Sequence, residues 1–417
     1  MWIVFSGIPY ALLAGCWARL SRRSPPALQP FVAAWLWTVV EVLRSLPPVG
    51  MPWGLLSQTQ WRNLVLLQIA EVGGGYAVTF VVVATSVGLG LAARDLAGRT
   101  VTLRRGALRL LPVGALLGLA ILFGYVRLTE GAAPHSSIEV AVAQAKPPPG
   151  LRWRRAALER QLLEYLELSR RVETGGAPLD LIVWPENAAN FYLEREPTLF
   201  APIAALARAR GSRLLLGAPR LASPLSARNS AYLIESDGRI AGVYDKQVLV
   251  PLAELDPFAA DGDERTDPSY AEGRAQQPLG AANLGIGTLI CFEILHPQLV
   301  RALVDQGARL LVNVSNDSWL DDGTGSAPRQ HFAMAVLRAV EARRALVRAS
   351  AGGVSGFVSP LGIPSAVVPW QSTGASASTV ELRDERTLYQ RWGERWIVLV
   401  GIALLALTTL ASRTRSA

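Results

Sequence analysis

The 417-residue sequence is poor in lysine, cysteine and histidine. Only Lys146 and Lys246 are lysines among its 41 basic residues, and there are two cysteines and three histidines. Two cysteines cannot form a disulfide framework, and the scattered histidines lack metal-ligand spacing, so neither a disulfide-built fold nor a metal or other cofactor is expected. The sequence also lacks a P-loop and a basic patch interleaved with aromatics. Nucleic acid is therefore not an expected partner, despite a net charge of +8.

The bias towards arginine makes the two lysines informative. Arginine supplies almost all of the basic charge, so a remaining lysine can mark a position that needs a compact ammonium group. Lys246 ends the apolar stretch GRIAGVYDK. The rarity of lysine in this sequence therefore suggests a specific role for Lys246.

Hydrophobic residues make up half of the sequence, and many of them fall in long uninterrupted runs. A membrane span needs roughly 20 apolar residues. The sequence predicts five spans, at residues 2–17, 28–46, 64–93, 107–128 and 396–411. The third is long enough to tilt or to kink at its glycines 73–75. The alternative, a set of buried core helices, is disfavoured because four of these runs are flanked by arginines before residue 130.

The arginines between the spans predict the topology. The segments RLSRRS, RDLAGRTVTLRRGALR and SRTRS follow the first, third and fifth spans. Short arginine-rich loops stay in the cytoplasm, which puts residues 129–390 on the outer side. This arrangement also puts Met1 outside, with no signal-peptide features ahead of the first span. We therefore expect that further N-terminal spans are missing from this sequence.

The region between residues 137 and 381 has a different pattern. Apolar strand candidates such as LDLIVWPE, LGIGTLICFE and ARLLVNVSND alternate with amphipathic helix candidates, the last of which covers residues 329–350. Such alternation predicts a layered α/β domain. The predicted domains are thus transmembrane helices at 1–128, a catalytic domain at 129–390, and a C-terminal span with a short tail at 391–417. Residues 256–282 read as a long loop.

Three predicted strand ends carry charged or nucleophilic residues. Glu186 follows LDLIVWP, Lys246 and Glu254 lie in DKQVLVPLAE, and Cys291 and Glu293 lie in CFE. Strand ends converge on the active site in α/β folds, so a base, an ammonium and a thiol are expected to meet there. The alternatives without a catalytic role are that Cys291 is a small buried apolar residue, that Glu254 is a solvated loop charge, and that Glu293 is a structural carboxylate.

These motifs resemble those of the nitrilase, or carbon–nitrogen hydrolase, superfamily. The resemblance rests on WPE, on DK followed by VPLAE, on CFE and on NDSW, in that order. It implies an αββα sandwich and a catalytic triad of Glu186, Lys246 and Cys291. It also implies that Glu254 orients Lys246 or the substrate, and that Glu293 supports the pocket.

The apolar segments narrow the resemblance to the apolipoprotein N-acyltransferase family. EVLRSLPPVGMPWGLLSQTQ, QIAEVGGGYAVTF and RQHFAMAVLRAVEARRALVRAS carry this similarity. The family usually has eight spans, whereas this sequence predicts five. The resemblance implies a membrane α-helical bundle joined to the sandwich, in a multi-pass protein of the bacterial inner membrane whose catalytic domain is periplasmic. A monomer is expected.

The family resemblance also implies the reaction. A fatty acyl chain passes from a membrane phospholipid, through a thioester on Cys291, to the N-terminal amine of the diacylglyceryl-cysteine of an apolipoprotein. This is the final step of lipoprotein maturation. Lys246 and the backbone N–H of Phe292 would hold the oxyanion of the tetrahedral intermediate.

Aromatic residues are the candidates for lipid contact. Trp153 occupies a position where the family places an aromatic residue near the lipid, although a packing role is an open alternative. Phe191–Tyr192 and Trp319–Leu320 are candidates to dip towards the headgroups. Two other functions stay open on the sequence alone: a membrane-anchored amidase or hydrolase, and a catalytically impaired, truncated paralogue.

Overall fold

The computed structural model of the chain describes residues 2–46, 50–98, 102–130, 136–146, 155–173, 176–223, 226–251, 253–254, 269–281, 283–320 and 323–416. Trp153 and most of the predicted loop at 256–282 lie outside these ranges. The chain packs into two compact units. One comprises Met1–Ala132 with Thr387–Ala417, and the other comprises Ala133–Arg386.

The helices of the described residues follow the apolar and amphipathic runs of the sequence. They are α1 (Trp2–Ser21), α2 (Gln29–Arg44), α3 (Leu64–Leu67), α4 (Ala70–Ala97), α5 (Leu103–Thr129), α6 (Arg155–Arg171), α7 (Pro197–Arg210), α8 (Pro297–Asp305), α9 (Ser326–Ala342), α10 (Leu388–Trp392) and α11 (Arg395–Ser416).

The strands of the described residues all lie in the second unit. They are β1 (Ser136–Gln144), β2 (Leu181–Val183), β3 (Arg213–Ser223), β4 (Ser226–Ile234), β5 (Ile240–Asp245), β6 (Ser269–Tyr270), β7 (Ile286–Ile290), β8 (Leu310–Asn316), β9 (Ala345–Ala351), β10 (Ser355–Val358), β11 (Pro364–Val368) and β12 (Gly374–Leu382).

The first unit consists of helices, and two of its segments are apolar and long enough to cross a membrane by length and composition. These are Ala70–Ala97 and Arg109–Thr129, and the apolar stretch Arg395–Leu410 is shorter. The predicted kink in the third apolar run is present. Gly73 and Gly74 of α4 leave helical geometry, and Gly74 has φ 69°. A side chain at Gly74 would meet the ring of Tyr389 at 2.7 Å, so glycine is required there.

The second unit is a sandwich of two sheets, as predicted. One sheet has the strand order β12-β1-β2-β3-β4-β5, with β6 paired to β4, and the other has the order β11-β10-β9-β8-β7. Residues of both sheets, among them Val140, Leu215, Ile290 and Val312, form a buried core between them. Helices α6 and α7 cover the outer face of the first sheet. Helices α8 and α9 pack on the second sheet, which completes the αββα order.

The predicted helix at 329–350 is wrong in its second half. Helix α9 ends at Ala342, because Arg343 adopts a left-handed conformation with φ 52°. The following residues, ALVRASA, are all buried and pair in parallel with β8 as strand β9. The prediction extended the helix past Ala342 because the following strand is buried on both faces. The periodicity of such an apolar run does not distinguish a strand from a buried helix.

The sheet order brings the ends of several strands to one edge. β2 and β3 are parallel, and β5 runs in the same direction as β3 because both are antiparallel to β4. In the second sheet β7, β8 and β9 are parallel. The residues that follow β2, β5 and β7 are therefore the ones available to form a site at strand carboxyl ends.

Helix α6 offers a matched test of the outer core. Leu166 lies on the buried face of α6 and is 1% exposed, whereas Leu163 on the same helix is 61% exposed. We expect Leu166→Ala to destabilise the fold by about 2–5 kcal/mol and Leu163→Ala to change it by less than about 0.5 kcal/mol. Thermal unfolding of the detergent-solubilised chain, followed by circular dichroism, measures the difference. Equal shifts of the two midpoints would contradict the burial of Leu166 in the core.

Candidate active site

The three residues of the predicted triad all lie within three residues of the carboxyl ends of strands. Glu186 follows β2 by three residues, Lys246 follows β5, and Cys291 follows β7. All three are buried, with exposed fractions of 5%, 1% and 2%. Burial of a carboxylate and an ammonium is costly unless they are paired, so their partners define the site.

Lys246 lies between two carboxylates. Its Nζ is 2.7 Å from Oε2 of Glu254 and 3.7 Å from Oε1 of Glu186. Asn229, the fourth residue of β4, connects the same carboxylates, because its Nδ2 donates to Oε1 of Glu186 at 2.6 Å and to Oε1 of Glu254 at 3.1 Å. Glu254 thus contacts Lys246 as the resemblance implied, and it is not a solvated loop charge.

Backbone N–H groups hold both carboxylates in place. The N–H of Asn316 donates to Oε2 of Glu186 at 2.7 Å, and the N–H of Val250 donates to Oε2 of Glu254 at 2.8 Å. Hydrogen bonds to a carboxylate favour its ionised form. They also fix the direction of each oxygen, which leaves little freedom for Glu186 to turn away from the site.

A glycine lets the Glu186 loop lie against β3. A Cβ on Gly217 would come within 2.5 Å of Cα of Glu186 and within 2.7 Å of the backbone nitrogen of Asn187. The N–H of Gly217 donates to the carbonyl of Pro185 at 3.1 Å, and the N–H of Ala189 donates to the carbonyl of Gly217 at 3.1 Å. The loop is therefore fastened to the strand on both sides of Glu186.

The buried charges shift one another's protonation. Burial raises the pKa of Glu186, the charge of Lys246 opposes this, and Glu254 adds to it. Burial alone would lower the pKa of Lys246, but Glu254 and Glu186 outweigh it and hold that pKa above its ordinary value. Burial would raise the pKa of Glu254, but the adjacent ammonium keeps it below its ordinary value. Lys246 and Glu254 are therefore charged, and Glu186 holds a proton more readily than an ordinary glutamate.

Cys291 directly follows β7 and is the first residue of the 3₁₀ segment Cys291–Leu295, so the chain turns sharply at this residue. It has φ 51°, a left-handed conformation that is uncommon for a residue with a side chain. Burial raises the pKa of its thiol, Glu186 adds to the increase, and Lys246 opposes it. The thiol is thus neutral at rest and close enough to Glu186 and Lys246 for their charges to act on it.

Glu293 connects the turn at Cys291 to the segment after Lys246. Its Oε2 accepts the N–H of Ile290 at 2.7 Å, and its Oε1 accepts the N–H groups of Gln247 at 2.5 Å and of Val248 at 3.1 Å. Burial raises its pKa to about 7, although these hydrogen bonds oppose the increase. The carboxylate therefore joins the two segments that carry the thiol and the ammonium.

The aromatic candidates have different surroundings. The Phe292 ring is buried and meets the ring of His296 edge-on, with centroids 5.0 Å apart. Phe191 is buried in the core under α6 and α7, so the prediction that it dips towards a membrane is wrong. Trp319 is 52% exposed on a 3₁₀ turn and is free to contact a substrate. Trp153 lies outside the described residues.

Sequence reasoning missed two parts of the site. One is Asn229, which the sequence shows only as the first residue of a strand candidate. The other is a group of buried polar residues beside Cys291, formed by Asp317, His331 and Arg348. Asp317 belongs to the NDSW motif, which was the available signal. Among the described residues, no three His, Cys, Asp or Glu side chains are grouped as a metal ion would require.

The sequence matches two known families along its length. Residues 139–390 match the family described as carbon–nitrogen hydrolase, and residues 1–88 match the apolipoprotein N-acyltransferase N-terminal domain. A solved structure, a carbon–nitrogen hydrolase from Helicobacter pylori G27, is similar at a TM-score of 0.49 with 18% identity, over 63% of this chain and 95% of that one.

Curated relatives cover both units. An apolipoprotein N-acyltransferase from Geobacter metallireducens is 35% identical over 404 residues, which are 91% of this chain and 74% of the relative. One from Azotobacter vinelandii is 32% identical over 423 residues, which are 98% of this chain and 78% of the relative. The chain therefore belongs to the apolipoprotein N-acyltransferase family and contains that family's carbon–nitrogen hydrolase domain.

Proposed function

We propose that this chain transfers a fatty acyl group from a phospholipid to the N-terminal amine of a diacylglyceryl-cysteine on lipoproteins, with Cys291 as nucleophile. The observation that carries the proposal is the buried cluster of Glu186, Lys246 and Glu254 beside a thiol on a left-handed turn. Membership of an acyltransferase family fixes the reaction class as acyl transfer. The enzyme acts on lipoproteins, which implies lipid and protein substrates.

In the first half-reaction Glu186 takes the proton of the Cys291 thiol as the sulfur attacks the ester carbonyl of the phospholipid. Because the thiol is neutral at rest, proton transfer has to accompany the attack. The carbonyl oxygen gains negative charge, and Lys246 and the backbone N–H of Phe292 stabilise it. The C–O bond then breaks, Glu186 protonates the lysolipid alcohol, and a thioester remains on Cys291.

In the second half-reaction the N-terminal amine of the lipoprotein attacks the thioester carbonyl. Glu186 accepts a proton from the amine and returns it to the departing sulfur, so the thiol is regenerated and an amide is formed. Glu254 supports both steps, because it keeps Lys246 charged and positioned. Neither half-reaction consumes a cofactor, since the thioester conserves the bond energy of the donor ester.

We further propose that the helical unit is a multi-pass membrane bundle in the bacterial inner membrane, with residues 129–390 on the periplasmic side. Large apolar side chains are exposed along α5 and α11, including Leu119 and Leu122 at 66% and 60% and Ile402 and Leu405 at 61% and 66%. Contiguous exposed apolar surface is rare on soluble proteins and is expected for lipid contact. The arginine-rich segments between the spans support the orientation. Trp319 is an exposed candidate for contact with the lipid.

The central test follows the acyl group. The full chain, in vesicles with ¹³C-acyl-labelled phospholipid and a diacylated lipopeptide, is expected to form a labelled thioester on Cys291 and to pass the label to the peptide amine. Mass spectrometry detects both products. Cys291→Ala should abolish both, because no nucleophile remains, whereas the matched control Cys16→Ala should retain them. Release of free fatty acid without peptide labelling would indicate a hydrolase, and the absence of any adduct would indicate a non-catalytic protein.

The dependence of the rate on pH tests the role of Glu186. A base must be ionised to act, so thioester formation slows as the pH falls through the pKa of Glu186, which burial places above the ordinary glutamate value. The negative charge of Glu254 raises that pKa further. Glu254→Gln should therefore move the acidic limb of the rate profile to lower pH, whatever it does to the maximum rate.

A matched control for the pH experiment is Glu272→Gln, which makes the same change at an exposed position. Its acidic limb should coincide with that of the wild type. Stopped-flow measurement of thioester formation between about pH 4 and pH 8 gives both curves. This range extends upward from the ordinary glutamate pKa of about 4.3 and so includes a value that burial has raised. An unchanged or raised limb in Glu254→Gln would exclude Glu186 as the titrating base.

A further inference from the structure

Behind Cys291 lies a fully buried group of polar side chains, formed by Asp317, His331 and Arg348. Their exposed fractions are 0%, 1% and 0%. Oδ1 of Asp317 is 2.9 Å from Nδ1 of His331, and its Oδ2 accepts a hydrogen bond from Nη2 of Arg348 at 2.7 Å. Nη2 of Arg348 is also 3.0 Å from Nδ1 of His331. In a neutral ring with its hydrogen on Nε2, Nδ1 accepts a hydrogen bond from Nη2 of Arg348, and Asp317 in turn holds that guanidinium.

The other ring nitrogen of His331 faces the nucleophile. Its Nε2 is 3.3 Å from the backbone carbonyl oxygen of Cys291. A carbonyl oxygen can only accept, so Nε2 carries a hydrogen and donates it. Nδ2 of Asn313 approaches the same oxygen at 3.4 Å. Asn313 is itself bonded to Arg348, so both donors to this carbonyl belong to one connected network.

The carbonyl of Cys291 and the N–H of Phe292 are parts of one peptide group. That group is planar and trans, so its C=O and N–H point in opposite directions. Fixing the carbonyl towards His331 therefore fixes the Phe292 N–H on the opposite side of the turn. Phe292 is the second residue of the 3₁₀ segment, and the first N–H groups of a helix have no partner within it.

We propose that His331, clamped by Asp317 and Arg348, is a positioning residue that aims the Phe292 N–H at the oxyanion of the tetrahedral intermediate. The inference rests on the proposed function only in taking Cys291 as the nucleophile. The left-handed conformation of Cys291 is the reason why its carbonyl has to be held by His331. A residue at φ 51° relaxes unless its surroundings hold it, and relaxation would rotate the peptide that carries the donor.

His331 acts through the backbone and not on the thiol. Its Nε2 contacts the backbone carbonyl oxygen of Cys291 at 3.3 Å. Loss of the contact should therefore slow reactions that pass through an oxyanion. Reactions of the same sulfur that form no oxyanion should keep their rates. This difference separates positioning from a general effect on the fold or on the thiol.

Two variants that differ by one methylene test the contact. In His331→Gln the side-chain amide can reach the carbonyl of Cys291, whereas in His331→Asn it can satisfy Asp317 and Arg348 but is too short to reach the carbonyl. His331→Met, which has no donor, is measured with them. Ser212→Ala is the matched control, because Ser212 is a buried donor to the carbonyl of Leu179 at 2.7 Å at the other end of the strands.

Two reactions of Cys291 are compared in the full-length, detergent-solubilised chain. A p-nitrophenyl ester acylates the sulfur: the S–C bond forms, p-nitrophenolate leaves, and Glu186 receives the thiol proton. Iodoacetamide alkylates the sulfur without an oxyanion, with iodide as the leaving group. The rate of the p-nitrophenolate burst gives the first reaction, and mass spectrometry of the Cys291 peptide gives the second. Neither reagent is a lipid or a lipoprotein.

We expect His331→Asn and His331→Met to lose roughly tenfold or more in burst rate, because loss of a whole oxyanion donor costs about 10²–10³ in kcat. His331→Gln and Ser212→Ala should stay within about threefold of the wild type. Alkylation rates should be unchanged in all four. Equal losses in both reactions, or no loss in the Asn and Met variants, would overturn the proposal. If the Asn and Met variants do not fold, His331→Gln alone decides. A burst rate within about threefold of the wild type supports the proposal, and a burst rate reduced roughly tenfold or more refutes it.

The design distinguishes this inference from the proposed function. If the wild type shows a burst with the p-nitrophenyl ester but transfers no acyl group to a lipopeptide, the lipoprotein assignment fails and the positioning role is still measured. If transfer to the lipopeptide occurs and the burst is insensitive to the His331 variants, the positioning role fails and the assignment stands.

Discussion

The site depends on keeping one ammonium charged between two carboxylates inside a protein. Lys246 is 1% exposed, and its charge is tolerable there only because Glu254 and Glu186 lie within 2.7 and 3.7 Å. Removing either carboxylate leaves a poorly compensated buried cation. The two distances from Lys246 indicate that the two carboxylates have different roles. Glu254, the closer carboxylate, neutralises the lysine, and Glu186, the more distant one, has a pKa that burial raises.

The two halves of the sandwich contribute different parts of this arrangement. The first sheet supplies both carboxylates, the lysine and Asn229, which are all held by side-chain and backbone hydrogen bonds. The second sheet supplies the thiol turn and the N–H of Asn316 that reaches across to Glu186. Glu293 completes the connection from the side of Cys291. Relative movement of the sheets is resisted by the core between them, so the distances within the site are set by packing.

Much of this was predictable from the sequence, and the reason is local. Glu186, Lys246 and Cys291 each follow an apolar strand, and a charged residue at that position is conspicuous in a one-dimensional pattern. Asn229 and His331 were not predictable from pattern, because their hydrogen bonds join residues that are far apart in the chain. The end of α9 was misplaced for another reason: it depends on a left-handed Arg343, which no local composition signals.

The pairing of the first and last strands of the sandwich has a consequence for biosynthesis. Strand β1 pairs with β12 along its whole length, from Ser136 opposite Leu382 to Gln144 opposite Gly374. A ribosome delivers β1 early, but the neighbour on that side emerges only when the rest of the unit has been made. Until then β1 presents an unpaired edge that could pair with another chain. The nascent catalytic unit therefore has to be shielded from other chains until its last strand is complete, and any truncation before Leu382 would leave that edge exposed.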